Sequence, residues 1–159
     1  MSTAVNPKVL DLNTVALRKC KAATSLQGRK GMPVKMSSGQ IAACSDDEVP
    51  WGLLAEDVED AATANDAVDV YQLFPGSMLE IYVCSSGSAT AITTANIGLA
   101  YDLEMIGSAP NEIGYLDLGA TSDKLFLVVD VASEYEPERN AAADSPGKAI
   151  VRVQVVQTA

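Results

Sequence analysis

Short segments in which apolar and polar residues alternate recur along much of the chain. Residues 68–73 alternate strictly, and residues 78–84 place Leu79, Ile81 and Val83 on one side of the chain. A period of two is typical of β-strands that bury one face, because successive side chains point to opposite faces of a sheet. This feature constrains the fold most strongly, and it predicts a protein built from sheets.

Turn residues separate these segments and define further strands. Ser37-Ser38-Gly39 and Ser85-Ser86-Gly87 predict hairpin turns, and residues 28–31 predict another turn. Together with residues 149–156, which alternate again, the pattern predicts about ten short strands. The remaining predicted strands are residues 32–36, 40–44, 51–55, 89–93, 97–103, 114–118 and 125–131.

This density of short strands predicts an all-β fold of the barrel or sandwich kind, with less than about 10% helix. The only helix candidate is the acidic, alanine-rich segment 56–64, which is short enough to be a loop. The inward positions of the alternating segments predict a core. Its predicted members are Val34, Ile41, Trp51, Leu53, Val68, Val70, Leu79, Ile81 and Val83.

The 159 residues are enough for one compact domain. Residues 1–28 are polar and basic and fit neither the helical nor the strand period, so they are predicted to form an extended N-terminal arm with at most one strand. The body is then residues 29–159, with an alternative division into two lobes, 29–84 and 85–159. Similar strand-and-turn patterns recur at offsets of 45 to 48 residues, and an internal duplication is therefore one hypothesis.

The charge is distributed unevenly. The chain carries a net charge of −10, yet residues 1–35 contain seven basic residues and only Asp11 as an acid. A basic segment on an acidic body indicates that the segment contacts an acidic surface, although it could also remain solvated. The net charge disfavours nucleic-acid binding by the body. The predicted partner-binding residues are Lys8, Arg18, Lys19, Lys21, Arg29 and Lys30.

Composition excludes several classes of site. The chain has no histidine, which excludes Ser-His-Asp and Cys-His catalysis and imidazole metal ligands. Cys20, Cys44 and Cys84 lie too far apart for a close-paired thiolate motif, and reduced cysteines are expected. No catalytic residue, metal site or cofactor is predicted, and the acidic clusters are interpreted as solvated loops. Neither a signal peptide nor a membrane segment is predicted.

An ordered series of glycines and apolar positions carries a family resemblance. The series is Lys30-Gly31-Met32-Pro33-Val34, Ser38-Gly39-Gln40-Ile41, residues 50–58, residues 66–71 and Pro75-Gly76-Ser77. It resembles the head decoration, or cement, proteins of tailed bacteriophages, and the resemblance covers residues 28–83 best. No catalytic signature is part of it.

The resemblance implies a small β-tulip-like barrel preceded by an extended arm, here with additional C-terminal strands. It also implies a virion protein that is assembled in the host cytoplasm and binds the capsid exterior. Its partners would be the major capsid protein and further copies of itself, as a homotrimer that stabilises the capsid. The alternatives are another phage head or tail component, such as a tail-tube or head-completion protein, or a carboxylate-dependent hydrolase.

Overall fold

The computed structural model describes residues 4–132 and 146–158. Within them the chain is all-β, as predicted, and only the 3₁₀ turns Leu12–Thr14 and Thr94–Asn96 are helical. The helix candidate 56–64 is a loop in which Val58 forms a bridge with Gly28. The described residues contain no helix with the length and hydropathy of a membrane span. The strands are β1 (Lys8–Val9), β2 (Val15–Lys21), β3 (Pro33–Ser37), β4 (Gln40–Ala43), β5 (Gly52–Leu54), β6 (Ala67–Leu73), β7 (Met78–Ser85), β8 (Ser88–Ala89), β9 (Ala100–Ile106), β10 (Ile113–Asp117), β11 (Phe126–Ala132) and β12 (Lys148–Val153).

The strands β2 to β6 form a five-stranded sheet in the order β2-β6-β5-β3-β4. Every neighbouring pair in this sheet is antiparallel, and the β2–β6 pair is the longest, because all residues of β2 are in register with β6. A single parallel bridge between Ala22 and Ile41 then connects the end of β2 to β4. We call these five strands the first unit.

The strands β7 and β9 to β12 pair in the order β7-β10-β9-β11-β12, and β12 pairs with β7 in turn. The β7–β10 pair is parallel, through Val83 and Cys84, and the other pairs are antiparallel. We call these five strands the second unit. The strands β1 and β8 also pair with β7, so this sheet has seven strands.

The two units repeat one topology. If β2, β3, β4, β5 and β6 are matched in chain order with β7, β9, β10, β11 and β12, both units have the same order of neighbours. Both also have their one parallel contact between the first and the third strand. The structure therefore supports an internal duplication, but not at the offsets of 45 to 48 residues. The offset of 48 matches the β3–β4 hairpin with β7–β8, and the offset of 45 matches β6 with β10, and neither is an equivalent pair in the topology.

The predicted core is confirmed at all nine positions, each of which is at most 9% exposed. These residues belong to one apolar cluster that contains side chains from both units. Inward residues alternate with outward ones along β6 and β12, so the period read from the sequence corresponds to the observed burial.

The boundaries of the units differ from those predicted. The predicted arm, residues 1–28, includes β2, which pairs along its whole length with β6, and Ala22 and Leu26 in it are buried. The predicted lobe 29–84 includes most of β7, which pairs with strands of the second unit. The predicted strand 89–93 is reduced to β8 and an irregular segment.

Contacts between the units use the ends of the described chain. The N-terminal segment reaches the second unit, where β1 pairs with β7, and Asn6 accepts a hydrogen bond from the Gly114 N–H at 3.0 Å. In the opposite direction, the Gln157 amide both accepts from and donates to the backbone of Met36, at 2.7 Å each. Each unit is therefore completed by a segment that extends from the other side of the molecule.

Candidate functional site

The predicted partner-binding residues lie on three neighbouring segments. Lys8 is in β1, opposite Glu80 of β7. Arg18, Lys19 and Lys21 are exposed residues of β2. Arg29 and Lys30 form the turn that leads to β3. The structure therefore places Lys8 and the three basic residues of β2 in strands, whereas the sequence predicted an extended arm, and Arg29 and Lys30 lie in the turn that the sequence predicted.

Part of the positive charge is neutralised within the molecule. The Lys19 ammonium lies 3.5 Å from the Asp69 carboxylate, and the Arg29 guanidinium lies 3.2 Å from the Glu59 carboxylate. The Arg18 Nε–H donates to the Gln72 amide oxygen at 3.0 Å. Among residues 4–132 and 146–158, no carboxylate lies within 4.0 Å of the charged groups of Arg18 and Lys21. These two cations thus keep charge that a partner can use.

An apolar groove lies beside these residues. It has a volume of about 440 Å³ and separates the N-terminal segment from the outer face of β5 and β6. Leu53 and Tyr71 line it together with the basic residues Lys8 and Lys30. The groove thus combines apolar walls with basic borders, a composition suited to a protein segment that carries both apolar and acidic side chains.

Large apolar side chains are exposed around the groove. Val5 is 59% exposed, Leu12 is 64% exposed and Leu17 is 63% exposed. Leu17 and Leu53 are both in register with Tyr71, so the three side chains form one row across the outer face of the sheet, which is buried at Leu53 and exposed at Leu17. Exposed apolar groups that cluster beside charged ones are typical of surfaces that bind another protein. We call Val5, Leu12, Leu17, Arg18 and Lys19 the β2 surface.

The second unit has an acidic counterpart. The pKa of the Asp47 carboxyl is raised, first by loss of solvation and then by the charges of Asp102, Asp117, Asp46 and Asp123. Asp102 is fully buried, and its carboxylate accepts hydrogen bonds from the backbone N–H groups of Asp123 and Lys124. This cluster is acidic, in contrast to the exposed basic residues of β2.

One cluster in the described residues brings a thiol and two carboxylates together. Ligand atoms of Cys84, Glu104 and Asp117 lie within 4.8 Å of one another. The Cys84 thiol donates to Glu104 at 3.0 Å, and burial, followed by this hydrogen bond, raises the pKa of the thiol well above its usual range. The protonated thiol is a poor nucleophile and a poor metal ligand.

The two carboxylates of this cluster hold the turn after β7. Glu104 accepts a hydrogen bond from the Gly87 N–H, and Asp117 accepts one from the Ser86 N–H. Asp117 also accepts from the Gly119 N–H at 2.8 Å. These bonds give the carboxylates a structural role, because they satisfy turn amides that lack a strand partner.

The comparisons with known proteins identify no family for this chain. No family model, curated protein or solved structure matches the chain.

Sequence reasoning missed the exposed apolar half of the β2 surface. It selected the basic residues within residues 1–35 by their charge, and it gave neither Leu12 nor Leu17 a position on a surface. The signal was present, because Leu17 lies between an alanine and two basic residues with no turn nearby. What the sequence lacked was the position of β6, which aligns Leu17 with Tyr71.

Proposed function

We propose that this chain is a structural virion protein that binds the outside of a phage capsid and stabilises it. The observation that carries the proposal is the β2 surface, where exposed apolar and basic groups lie together on a chain with a net charge of −10. A binding protein needs such a surface, and its affinity derives from apolar burial with charge complementarity at the border.

The resemblance to decoration proteins adds support. Its residues 30–77 build β3 to β6, which is most of the first unit. We further propose that each unit is a small β-tulip-like barrel. The cyclic order of pairings in the second unit and the Ala22–Ile41 bridge in the first support this closure.

We propose a homotrimer as the assembled form, because repeated copies on a symmetric shell gain affinity through multivalency. The proposed partners are the major capsid protein and the chain itself, and the proposed location is the capsid exterior. The basic residues Lys8, Arg18, Lys19, Lys21, Arg29 and Lys30 are the proposed contacts to acidic groups of the shell.

Co-sedimentation with empty phage heads that lack this protein tests the proposal. We expect the wild-type protein to sediment with the heads, and the double variant Arg18→Glu/Lys19→Glu to lose most of its occupancy at low salt. Arg152→Glu is the matched control, since Arg152 is an exposed basic residue of β12 on the second unit. Absence of wild-type binding would refute the capsid role, and rings or tubes in electron micrographs of the protein alone would favour the tail-tube or head-completion alternative.

A further inference from the structure

The repeated topology reveals an edge that a strand occupies in one unit and that no described strand occupies in the other. In the second unit, the Met78 carbonyl accepts from the Leu10 N–H at 2.9 Å, and the Cys84 carbonyl accepts from the Leu118 N–H at 2.9 Å. Carbonyl direction repeats at every second residue of a strand, and Met78 and Cys84 differ by an even number of positions, so both carbonyls point to the same edge of β7. β1 and β10 therefore share this edge.

In the first unit, the matching edge of β2 also has a parallel neighbour, which is β4. The Ala23 N–H donates to the Ile41 carbonyl on the β4 side, whereas the Ala22 N–H donates to the Asp66 carbonyl on the β6 side. Because the amide direction alternates along a strand, Leu17 and Lys19 direct their N–H and C=O groups away from β6. Among the residues that the structure describes, no strand pairs with that part of the edge.

The position of the gap matches the position of β1. On β7, β1 pairs at Leu79 and Glu80, just before the β10 contact begins at Val83. On β2, the residues at the same distance before the Ala22 bridge are Arg18 and Lys19. We propose that this edge of β2 binds an extended acidic segment of a different protein, which adds to β2 as β1 adds to β7.

The charges of the edge define the partner. Arg18, Lys19 and Lys21 are all exposed on β2, so acidic residues opposite them form favourable cross-strand pairs. Two copies of this edge would bring these cations together, which disfavours pairing of β2 with β2 of a second copy. Exposed lysines on an edge strand commonly prevent such self-association.

The exposed Leu17 defines one further position of the partner. Leu53, Tyr71 and Leu17 already form a row across the outer face, and a strand beyond β2 extends this row by one residue. An apolar residue opposite Leu17 therefore buries a side chain that is now 63% exposed. Such a segment can belong to a protein other than the major capsid protein, so strand addition at β2 goes beyond capsid binding.

A synthetic peptide as long as β2, seven residues, serves as the probe. Glutamates are placed opposite Arg18 and Lys19, and a valine is placed opposite Leu17. On binding to the full chain, we expect slower amide hydrogen exchange at Leu17 and Lys19 in NMR spectra. The Arg18 amide faces β6 and is expected to show no comparable change.

Two matched controls separate strand addition from simple charge attraction. Methylation of the valine amide nitrogen in the peptide retains all charges but removes the donor that faces Leu17. We expect it to weaken binding about tenfold, the effect of losing one hydrogen bond. The variant Leu17→Pro removes the N–H that points away from β6 and leaves the donors that face β6 in place, and we expect a similar loss of binding. The variant Leu17→Ala retains this N–H, and we expect it to weaken binding less.

Three results would overturn the inference. One is unchanged exchange at Leu17 and Lys19 with saturating peptide. A second is equal binding of the methylated and unmethylated peptides. The third is self-association of the chain alone that Leu17→Pro abolishes in sedimentation experiments, because the occupant would then be a second copy.

Discussion

In the second unit, β1 covers the edge of β7, whereas in the first unit no strand within residues 4–132 and 146–158 covers the matching edge of β2. The two units otherwise share the order of their strands and the position of their parallel contact. The difference shows how one topology can serve two purposes. A covered edge completes the hydrogen bonding of the protein itself, and an open edge with basic and apolar side chains is available for a partner.

The units also differ in the charged residues that they carry. β2 carries three exposed basic residues, while the second unit contains carboxylates that raise the pKa of Asp47. Since both units pack into one apolar cluster, the basic residues of β2 and the acidic cluster around Asp47 belong to one folded body. Such a distribution orients the molecule as it approaches a charged surface.

The largest expected effect tests whether the shared core makes the units interdependent. Ile81→Asp places a charge at a fully buried position of β7. We expect this to cost about 5 kcal/mol of unfolding free energy, which is comparable to the whole stability of a domain. We expect no soluble folded protein. The single tryptophan, Trp51, lies in the first unit, so its fluorescence reports whether damage to the second unit spreads.

The control for this substitution is Ile97→Asp, because Ile97 is 41% exposed and outside the core cluster. We expect that variant to remain folded. Native Trp51 emission in refolded Ile81→Asp would contradict a single cooperative core.

A truncation tests whether the N-terminal residues are a removable arm or part of the folded sheet. Deletion of residues 2–27 removes β2 with its complete ladder to β6 and the buried residues Ala22 and Leu26. The loss exposes β6 and the core beneath it, so we expect the truncated chain to lack a cooperative thermal transition. Calorimetry of the truncated and full-length proteins measures this. An unchanged melting temperature would restore the interpretation of residues 1–28 as an independent arm.

An intermediate effect is expected where the N-terminal segment attaches to the second unit. Asn6→Ala removes the acceptor for the buried Gly114 N–H and a donor to the Glu112 carbonyl. An unpaired buried N–H costs about 2 kcal/mol, and urea unfolding should show a loss of that size. Asn13→Ala is the matched control, as Asn13 is exposed in the Leu12–Thr14 turn. Equal stability of both variants would show that the Asn6 contacts contribute nothing.

The smallest expected effect is a pH dependence within the first unit. Burial alone would raise the pKa of Glu48, but hydrogen bonds from Lys35, at 2.7 Å, and from the Ser45 N–H lower it below its usual range. A carboxyl with a lowered pKa stabilises the fold above its usual pKa, and the contribution is lost as the pH falls through the pKa of the folded state.

We therefore expect Glu48→Gln to lose about 1 kcal/mol of unfolding free energy at neutral pH, since both side chains are partly exposed. The difference from wild type should disappear in acid. Unfolding curves at neutral pH and near pH 3, about a unit below the usual range of a glutamate, measure this. A difference that persists in acid would assign the effect to packing instead of charge.

The sequence predicted the strands that bury one face. β6 and β7 show clear alternation, and their observed bounds lie within one residue of the predicted ones. β2 escaped prediction because its residues are at most half-buried on either face, and an edge strand of this kind leaves no clear period. β1 has only two residues, too few for any period.

The candidate site was predictable only in part. Charge counting identified the basic residues of β2, but pairing between distant strands determines which apolar residues accompany them. Leu17 and Tyr71 are far apart in sequence and become neighbours only through the β2–β6 register. Likewise, the duplication was suggested by the wrong pair of hairpins, since short serine-glycine turns recur in many β proteins and carry little information about topology.

The exchange of terminal segments between the units has a mechanical consequence. β1 is attached to the second unit, and Gln157 is attached to Met36 of the first. A force that pulls the two units apart therefore loads both attachments at once, and neither unit can separate while one of them holds. Tension applied to the molecule is therefore spread over attachments at both ends of the described chain, together with the apolar cluster that contains side chains of both units.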